Sequence, residues 1–381
     1  MSFRTTGFKL VPVLILAVFL LFGGFKSFAG SQGETAVAPA DSASAHELTA
    51  PEKEEKFNPG EMIMEHVVDN HEWHIMSLGS FHLTIPLPVI LIYNGKFYTF
   101  LSSSFHNENR THLDFILPEK GPNKGHIVTV EEEMTGKKGI PVYDFSITKT
   151  VLAIFISGFL LILIFTSVAK RYTTRKDQAP TGLQNMMEPL ILFVRDDIAK
   201  SSIGPKYEKY LPYLLTIFFF IFLNNVLGII PIFPGGANVT GNIAITGVLA
   251  LCTLVITSFT GTKAYWLHLV NTPGVPWWLK LPLPLMPIVE IIGVITKPFV
   301  LMVRLFANIT AGHIIILGFI SIIFIFGQIS TALGLGVGIP TAAFMVFMDL
   351  LELLVAFIQA YVFTLLSALY FGLAMVEDHH H

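Results

Sequence analysis

The stretch Lys297-Pro-Phe-Val-Leu-Met-Val-Arg304-Leu-Phe-Ala-Asn308-Ile-Thr-Ala-Gly-His313 decides how this chain must be read. It lies in a run from about Leu281 to Gly327 that is otherwise almost wholly apolar. Arginine cannot shed its charge by deprotonation, and at the centre of a membrane helix it costs about 2.5–3.5 kcal/mol on insertion scales. An arginine near a helix end can snorkel to the interface. Arg304 has about twenty apolar-dominated residues on each side, so that escape is closed. A charge so placed faces a partner or a water-filled path.

Composition agrees with a membrane setting. The chain has 381 residues, 52% of them hydrophobic and only 13% charged, with 33 Phe. A soluble domain carries about 25% charge. The net charge of −3 gives no electrostatic reason to bind nucleic acid. The single cysteine, Cys252, excludes a disulfide framework and a cysteine-based metal site. No Gly-rich phosphate loop, nucleophile elbow or His-Glu-x-x-His pair occurs, and no cofactor is implied.

Residues 1–29 read as a signal peptide: Arg4 and Lys9, an apolar core from Leu10 to Phe22, then Ser27-Phe28-Ala29 as a small-x-small cleavage site. Residues 30–58, rich in Ser, Ala, Glu and Pro, read as a disordered linker. Residues 59–146 differ from all that follows. Val89–Tyr93, Asn94-Gly95 and Lys96–Phe100 form a hairpin signal, because Asn-Gly supplies the positive φ of a type I′ turn. Pro86 and Pro88 argue against a span there. A small β-containing extracytoplasmic module is expected. His66, His71, His74 and His82 match no standard zinc spacing, so no metal site is expected.

Five transmembrane helices follow within 147–376. They are expected at about 147–169, 210–232, 242–262, 284–330 and 340–375. The fourth is far longer than the ~20 residues of a perpendicular helix, so it must be tilted, bent or broken. Lys170, Arg171, Arg175, Lys176, Lys263 and Lys280 mark the cytoplasmic side. The uncharged connections at 232–241 and 328–339 mark the outside. That places the N-terminus outside and the tail, 377–381, in the cytoplasm. Between the first two spans, Leu183, Met186, Met187, Leu190, Ile191, Val194 and Ile198 keep helical spacing opposite a polar face. They predict a cytoplasmic surface helix, restarted at Pro189. The fold class is therefore an all-α polytopic membrane protein with a small β-containing module.

The polar residues inside the last two spans include Glu290, Lys297, Arg304, Asn308, His313, Asp349, Glu352 and Gln359. At 1.5 Å per residue, Glu290 and Lys297 lie on the cytoplasmic side of Arg304, and His313 lies ~13 Å outward. The fifth span returns inward, so Glu352 enters near the depth of His313 and Gln359 near that of Arg304. Glu352 and Gln359 share one face; Arg304 and Asn308 share another. Arg304 and His313, nine apart, differ by about half a turn. An outer set, His313 with Glu352, can carry protons, an inner set near Glu290 leads from the cytoplasm, and a permanent cation stands between. Two half-paths so divided require a carboxylate on another protein to carry the proton across.

Arg304-Leu-Phe-x-Asn308-x-x-x-Gly312, preceded by Lys297-Pro298, resembles the a subunit of F-type ATP synthases. The likeness extends to Leu223-Asn-Asn225-Val-Leu-Gly-Ile-Ile-Pro231, to Gln359 and to Tyr370, and covers about 145–376. It implies that Arg304 faces a rotating c-ring and stops protons bypassing it. It implies the partners as well: the c-ring, a b-type peripheral stalk and the soluble F1 catalytic head, in a bacterial inner membrane, with this subunit non-catalytic. Many members carry Glu where this chain has His313 and His where it has Glu352, so the pair is exchanged here. The family's aspartate near the end of the second span is replaced by Gly228. The competing reading, a self-contained proton-coupled secondary transporter, calls for an internal repeat, and none is visible in the chain.

Overall fold

The computed structural model describes residues 59–60, 63, 68–78, 81–107, 109–118, 123–137, 139–174, 178–230, 234–270 and 285–375. The signal expected over 1–29, the linker over 30–58 and the tail over 377–381 lie outside them. Among the described residues the N-terminal module holds eight strands: β1 (Glu72–Leu78), β2 (Phe81–Pro86), β3 (Pro88–Tyr93), β4 (Lys96–Leu101), β5 (Thr111–His112), β6 (Phe115–Ile116), β7 (Val128–Thr129) and β8 (Tyr143–Asp144). A six-residue helix, α1 (Val130–Thr135), follows β7, with Thr129 accepting from the amide of Glu132 as its cap.

Three small sheets result: β1 with β2, then β4-β3-β8, then β5-β6-β7. The β3–β4 hairpin closes as the sequence predicts, with Asn94 at φ 50° and Gly95 at φ 72°. Alternation along β3 sends Val89 and Leu91 inward against Phe105 and Phe115.

The membrane part begins at α2 (Lys149–Thr174) and continues through α3 (Leu183–Phe193), α4 (Leu211–Ile229), α5 (Ile243–Thr260), α6 (Lys263–Val270), α7 (Leu285–Ile329) and α8 (Thr331–Ala374). Among the described residues five of these, α2, α4, α5, α7 and α8, are long and apolar enough to cross a membrane. One core joins them, built on Leu214, Phe218, Leu301, Leu305, Phe363 and Phe371, and it takes in Val194 and Ile198 from the segment after α3.

Two expectations are corrected and one is narrowed. The fifth span does not begin at Pro340: α8 starts at Thr331, and Ser330 alone separates it from α7. An apolar connection in lipid has no water for its backbone groups, so it stays helical. A Cβ on Gly334 would lie 2.8 Å from Gly327 Cα, so glycine lets the two helices turn back this tightly. Second, of the alternatives tilted, bent or broken, α7 is not broken: it runs 45 residues through Pro298. At 1.5 Å per residue it is about 67 Å long, over twice a ~30 Å hydrocarbon core, and therefore has to lie obliquely. Third, α3 runs through Pro189 without a restart and passes into a π-helical segment, Val194–Lys200. Its inner face differs by two residues from the periodicity: Gln184 is buried and Met186 exposed.

Candidate functional site

The face structure of α7 sets the site. Leu301, Leu305 and Ile309 are buried on one side; Arg304 and Asn308 are exposed on the other. Nine residues beyond Arg304 the helix has turned by about half a revolution. His313 therefore points the other way, into the bundle, with 18% of its side chain exposed. Its Nε2 is 3.9 Å from Glu352 Oε1 on α8, where Glu352 is 7% exposed.

The corner around this pair depends on two glycines. A Cβ on Gly312 would stand 2.8 Å from Glu352 Oε1, so the carboxylate occupies the space a side chain would take. A Cβ on Gly228 would stand 3.5 Å from His313 Nε2 and 3.5 Å from the carbonyl of Ala237. Both carboxylate oxygens of Glu352 are buried with no hydrogen-bond partner among the described residues. A buried acid that no donor holds is chemically available to take up and release a proton.

Polar groups from the second span, the 234–242 connection and α7 surround the corner. Asn225 donates from Nδ2 to the Ala356 carbonyl at 3.4 Å, and the Thr240 hydroxyl donates to Asn225 Oδ1 at 2.5 Å. Asn238 Oδ1 accepts from the Gly241 amide at 2.9 Å, and the Thr310 hydroxyl donates to the Gly241 carbonyl at 3.4 Å. Lys149, at the start of α2, acts electrostatically on His313. Of these only Asn225 was singled out in the sequence. The uncharged polar run Gly235-Gly-Ala-Asn-Val-Thr-Gly-Asn242 between two spans was the available signal for the others.

The permanent cation stands apart from this corner. No hydrogen bond or ion pair holds Arg304 to another described residue. Its exposed face is shared with Asn308 and flanked by the exposed apolar side chains Val300, Val303 and Ile315. Gln359 shares the buried face of α8 with Glu352, Ala356 and Ala360, and is 6% exposed. Gln359 is thus buried at the depth where Arg304 is exposed.

On the expected cytoplasmic side, Lys297 Nζ lies 5.7 Å from the centre of the Tyr370 ring, a cation–π distance. Lys297, Tyr370, Tyr265 and Thr257 line a hollow of ≈ 20 Å³, about the room one water needs. Glu290 is half-buried near Tyr265, whose hydroxyl burial pushes up, with the Glu290 charge adding to the effect. Glu290 is fourteen residues from Arg304 along α7, about 21 Å. Tyr265 was not foreseen, because nothing in the sequence ties α6 to α7.

Among the described residues no group of three or more His, Cys, Asp or Glu could hold a metal ion. His71, one of the four histidines considered for a metal, instead meets Asp144, with Nε2 2.8 Å from Oδ2. Another histidine of the module, His106, meets Glu72 at 2.8 Å. The chemistry on offer is proton handling by the His313–Glu352 pair and charge presentation by Arg304.

The family model described as ATP synthase A chain matches residues 151–372, and a domain of unknown function matches residues 62–145. The chain is 40% identical over 354 residues to "ATP synthase subunit a 2" of Chlorobaculum tepidum, covering 91% of this chain and 82% of that one. It is 48% identical to "ATP synthase subunit a 2" of Prosthecochloris aestuarii, covering 62% of this chain and 71% of that one. Against "ATP synthase subunit a" of Myxococcus xanthus the identity is 43%, covering 62% of this chain and 76% of that one.

Proposed function

The chain belongs to the ATP synthase A chain family, and from that premise we propose how its residues conduct protons. It is the proton-channel stator subunit of the Fo membrane sector, working with the c-ring, the b-type peripheral stalk and the F1 head. The chain is integral to a bacterial inner membrane and crosses it several times. We place the N-terminus outside and the C-terminus in the cytoplasm on the charge bias of the loops. The subunit itself makes and breaks no covalent bond of ATP; it supplies the two half-paths. No observation favours a self-contained transporter.

The observation that carries the site assignment is Arg304: a permanent cation on an exposed, largely apolar face of a membrane-crossing helix. Lipid on that face would leave the charge unsolvated. A passing carboxylate on the c-ring satisfies it, and the cation in turn favours the ionised form of that carboxylate. Protons from outside reach the ring through His313 and Glu352. After nearly a full rotation they leave past Glu290 and the Lys297–Tyr370 hollow. Asn308 shares the ring-facing side with Arg304, while Gln359 and Asn225 brace the buried face from which Glu352 projects.

The test is Arg304→Ala in the assembled complex. Coupled ATP-driven proton pumping into inverted vesicles is expected to be lost while subunit stoichiometry is unchanged, because little packing is removed. Arg304→Lys is expected to be poor too, since it keeps the charge but loses the planar, delocalised fork. Wild-type pumping by an assembled Arg304→Ala complex would refute the assignment.

A further inference from the structure

The module and the membrane part are not joined by a slack linker. Strand β8 ends at Asp144, and α2 begins at Lys149. The residues between are laced back to the module. The Phe145 amide donates to the Ile90 carbonyl at 2.8 Å, and the Ile147 amide to that of Pro88 at 3.0 Å. The Ile90 amide donates to the Ser146 hydroxyl at 3.1 Å. On the other side of the junction, Asp69 Oδ1 accepts from the Thr150 amide at 3.0 Å, and the Asn70 carbonyl accepts from the Lys149 amide at 2.9 Å. The module thus caps the first turn of α2 with residues about eighty positions earlier in the chain.

A second contact reaches farther. Trp73, 3% exposed, is buried in a cluster with Ala153 and Ile154 of α2, Ile245 of α5, and Ala237 and Val239 of the connection between the second and third spans. That same connection touches the proton-carrying corner. The Ala237 carbonyl borders the space beside Gly228 and His313, and Thr240 bonds Asn225. It has little freedom of its own shape. Gly236 sits at φ 76°, and a Cβ at Gly235 would run into the Ile230 and Leu227 carbonyls. A single rigid connection is therefore held by the module on one side and lines the His313 corner on the other.

We infer that the N-terminal module is a fixed part of the outer proton path: Trp73 and Asp69 hold the 234–242 connection and the start of α2 where they form the mouth leading to His313. The inference rests on the assignment of His313 and Glu352 to the outer half-path. Trp73 and Asp69 act as positioning residues, since neither touches the pair. The large apolar ring locks the connection by packing, and the carboxylate locks the helix terminus by its hydrogen bond.

The experiment uses the whole complex in membranes, with Trp73→Ala, Trp73→Phe and Asp69→Ala, which removes the acceptor of the Thr150 amide. Passive proton conductance after removal of the catalytic head is one readout. The other is the rate at which an impermeant thiol reagent, added from outside, labels a Val239→Cys variant carrying Cys252→Ser. In assembled Trp73→Ala and Asp69→Ala complexes, conductance is expected to fall several-fold and labelling to rise several-fold; Trp73→Phe should restore most of both. If Trp73→Ala does not assemble, Asp69→Ala carries the comparison with the parent. Unchanged conductance and labelling in assembled variants would overturn the inference. An Arg304→Ala control in the same membranes separates the two readings. If it abolishes coupled pumping while the Trp73 and Asp69 variants change nothing, the module inference alone falls.

Discussion

His313 Nε2 stands 3.9 Å from Glu352 Oε1, across two long helices that the chain connects through the single non-helical residue Ser330. The separation is too long for a direct hydrogen bond and short enough for one water or a small rotamer change to close. With nothing else bonding the carboxylate among the described residues, the two groups are placed to share the proton work proposed for this corner.

If they do, neither position requires its present residue. His313→Glu alone sets two carboxylates side by side, which raises one pKa strongly. Glu352→His alone leaves two imidazoles with no acid to stabilise the charged form. Each single change is expected to lower proton flux by about 10²-fold or more, the usual weight of a proton-transferring group. The double exchange should recover a good part. ATP-dependent acidification of inverted vesicles measures this, with assembly checked in parallel. A double variant no better than the worse single one would show that the sites are uncoupled.

Gly312→Ala introduces a methyl 2.8 Å from the present position of Glu352 Oε1. The carboxylate is the free end of a flexible side chain, so the protein should assemble and the acid should swing away from His313. A several-fold drop in flux is expected. A flux equal to that of the parent would mean that the position of the carboxylate beside Gly312 is unimportant.

Gly228 stands where the family's pattern has an aspartate, and its missing Cβ lies at ordinary contact distance, 3.5 Å, from His313 Nε2. Gly228→Asp should therefore fit and deliver an acid to His313 from the opposite helix. In a Glu352→Gln background this second change is expected to restore measurable pumping. No recovery in an assembled double variant would place the proton elsewhere than on the His313 side of α4.

Asp144 anchors the module beside α2. Burial pushes its carboxyl up, but His71 and the hydroxyl and amide of Ser146 hold it well below the usual carboxylate range. A lowered native value contributes stability that is present above the unfolded-state value, about 3.9, and is lost as pH falls through the native one. The module should therefore keep its amide protection from neutral pH down to about pH 4 and lose it only in stronger acid. Asp144→Asn leaves buried His71 without its acid and should cost about 1–3 kcal/mol at neutral pH. Hydrogen exchange of the β3 amides in the purified subunit reads both. Identical exchange in the variant and the parent would remove Asp144 from the anchoring role.

Much of the membrane part was legible in the chain itself. An uncharged run from Tyr210 to Thr262 reads as a hairpin of spans, and Arg304 amid apolar residues as a functional cation by expectation. Helical spacing alone put His313 about half a turn from Arg304, and the observed burial of one and exposure of the other follows from it. Asn94-Gly95 similarly determined the β3–β4 register, because turn chemistry is local. These are one-dimensional signals, since composition, period and backbone preference act between near neighbours.

Tertiary structure decided the rest, where the deciding contacts join distant residues. Pro340 reads as a helix start, yet α8 begins at Thr331, because backbone groups in lipid must be paired and Gly334 can pack on Gly327. Gln359 and Arg304 share a depth on paper, yet one is buried and the other exposed. Tyr265 reaches the neighbourhood of Glu290, and Trp73 that of Val239, only when α6 and the module are packed in place. Sequence periodicity states which side of a helix is apolar. Which neighbour covers that side is set by packing between elements, and for this protein that packing seats the module over the corner where His313 meets Glu352.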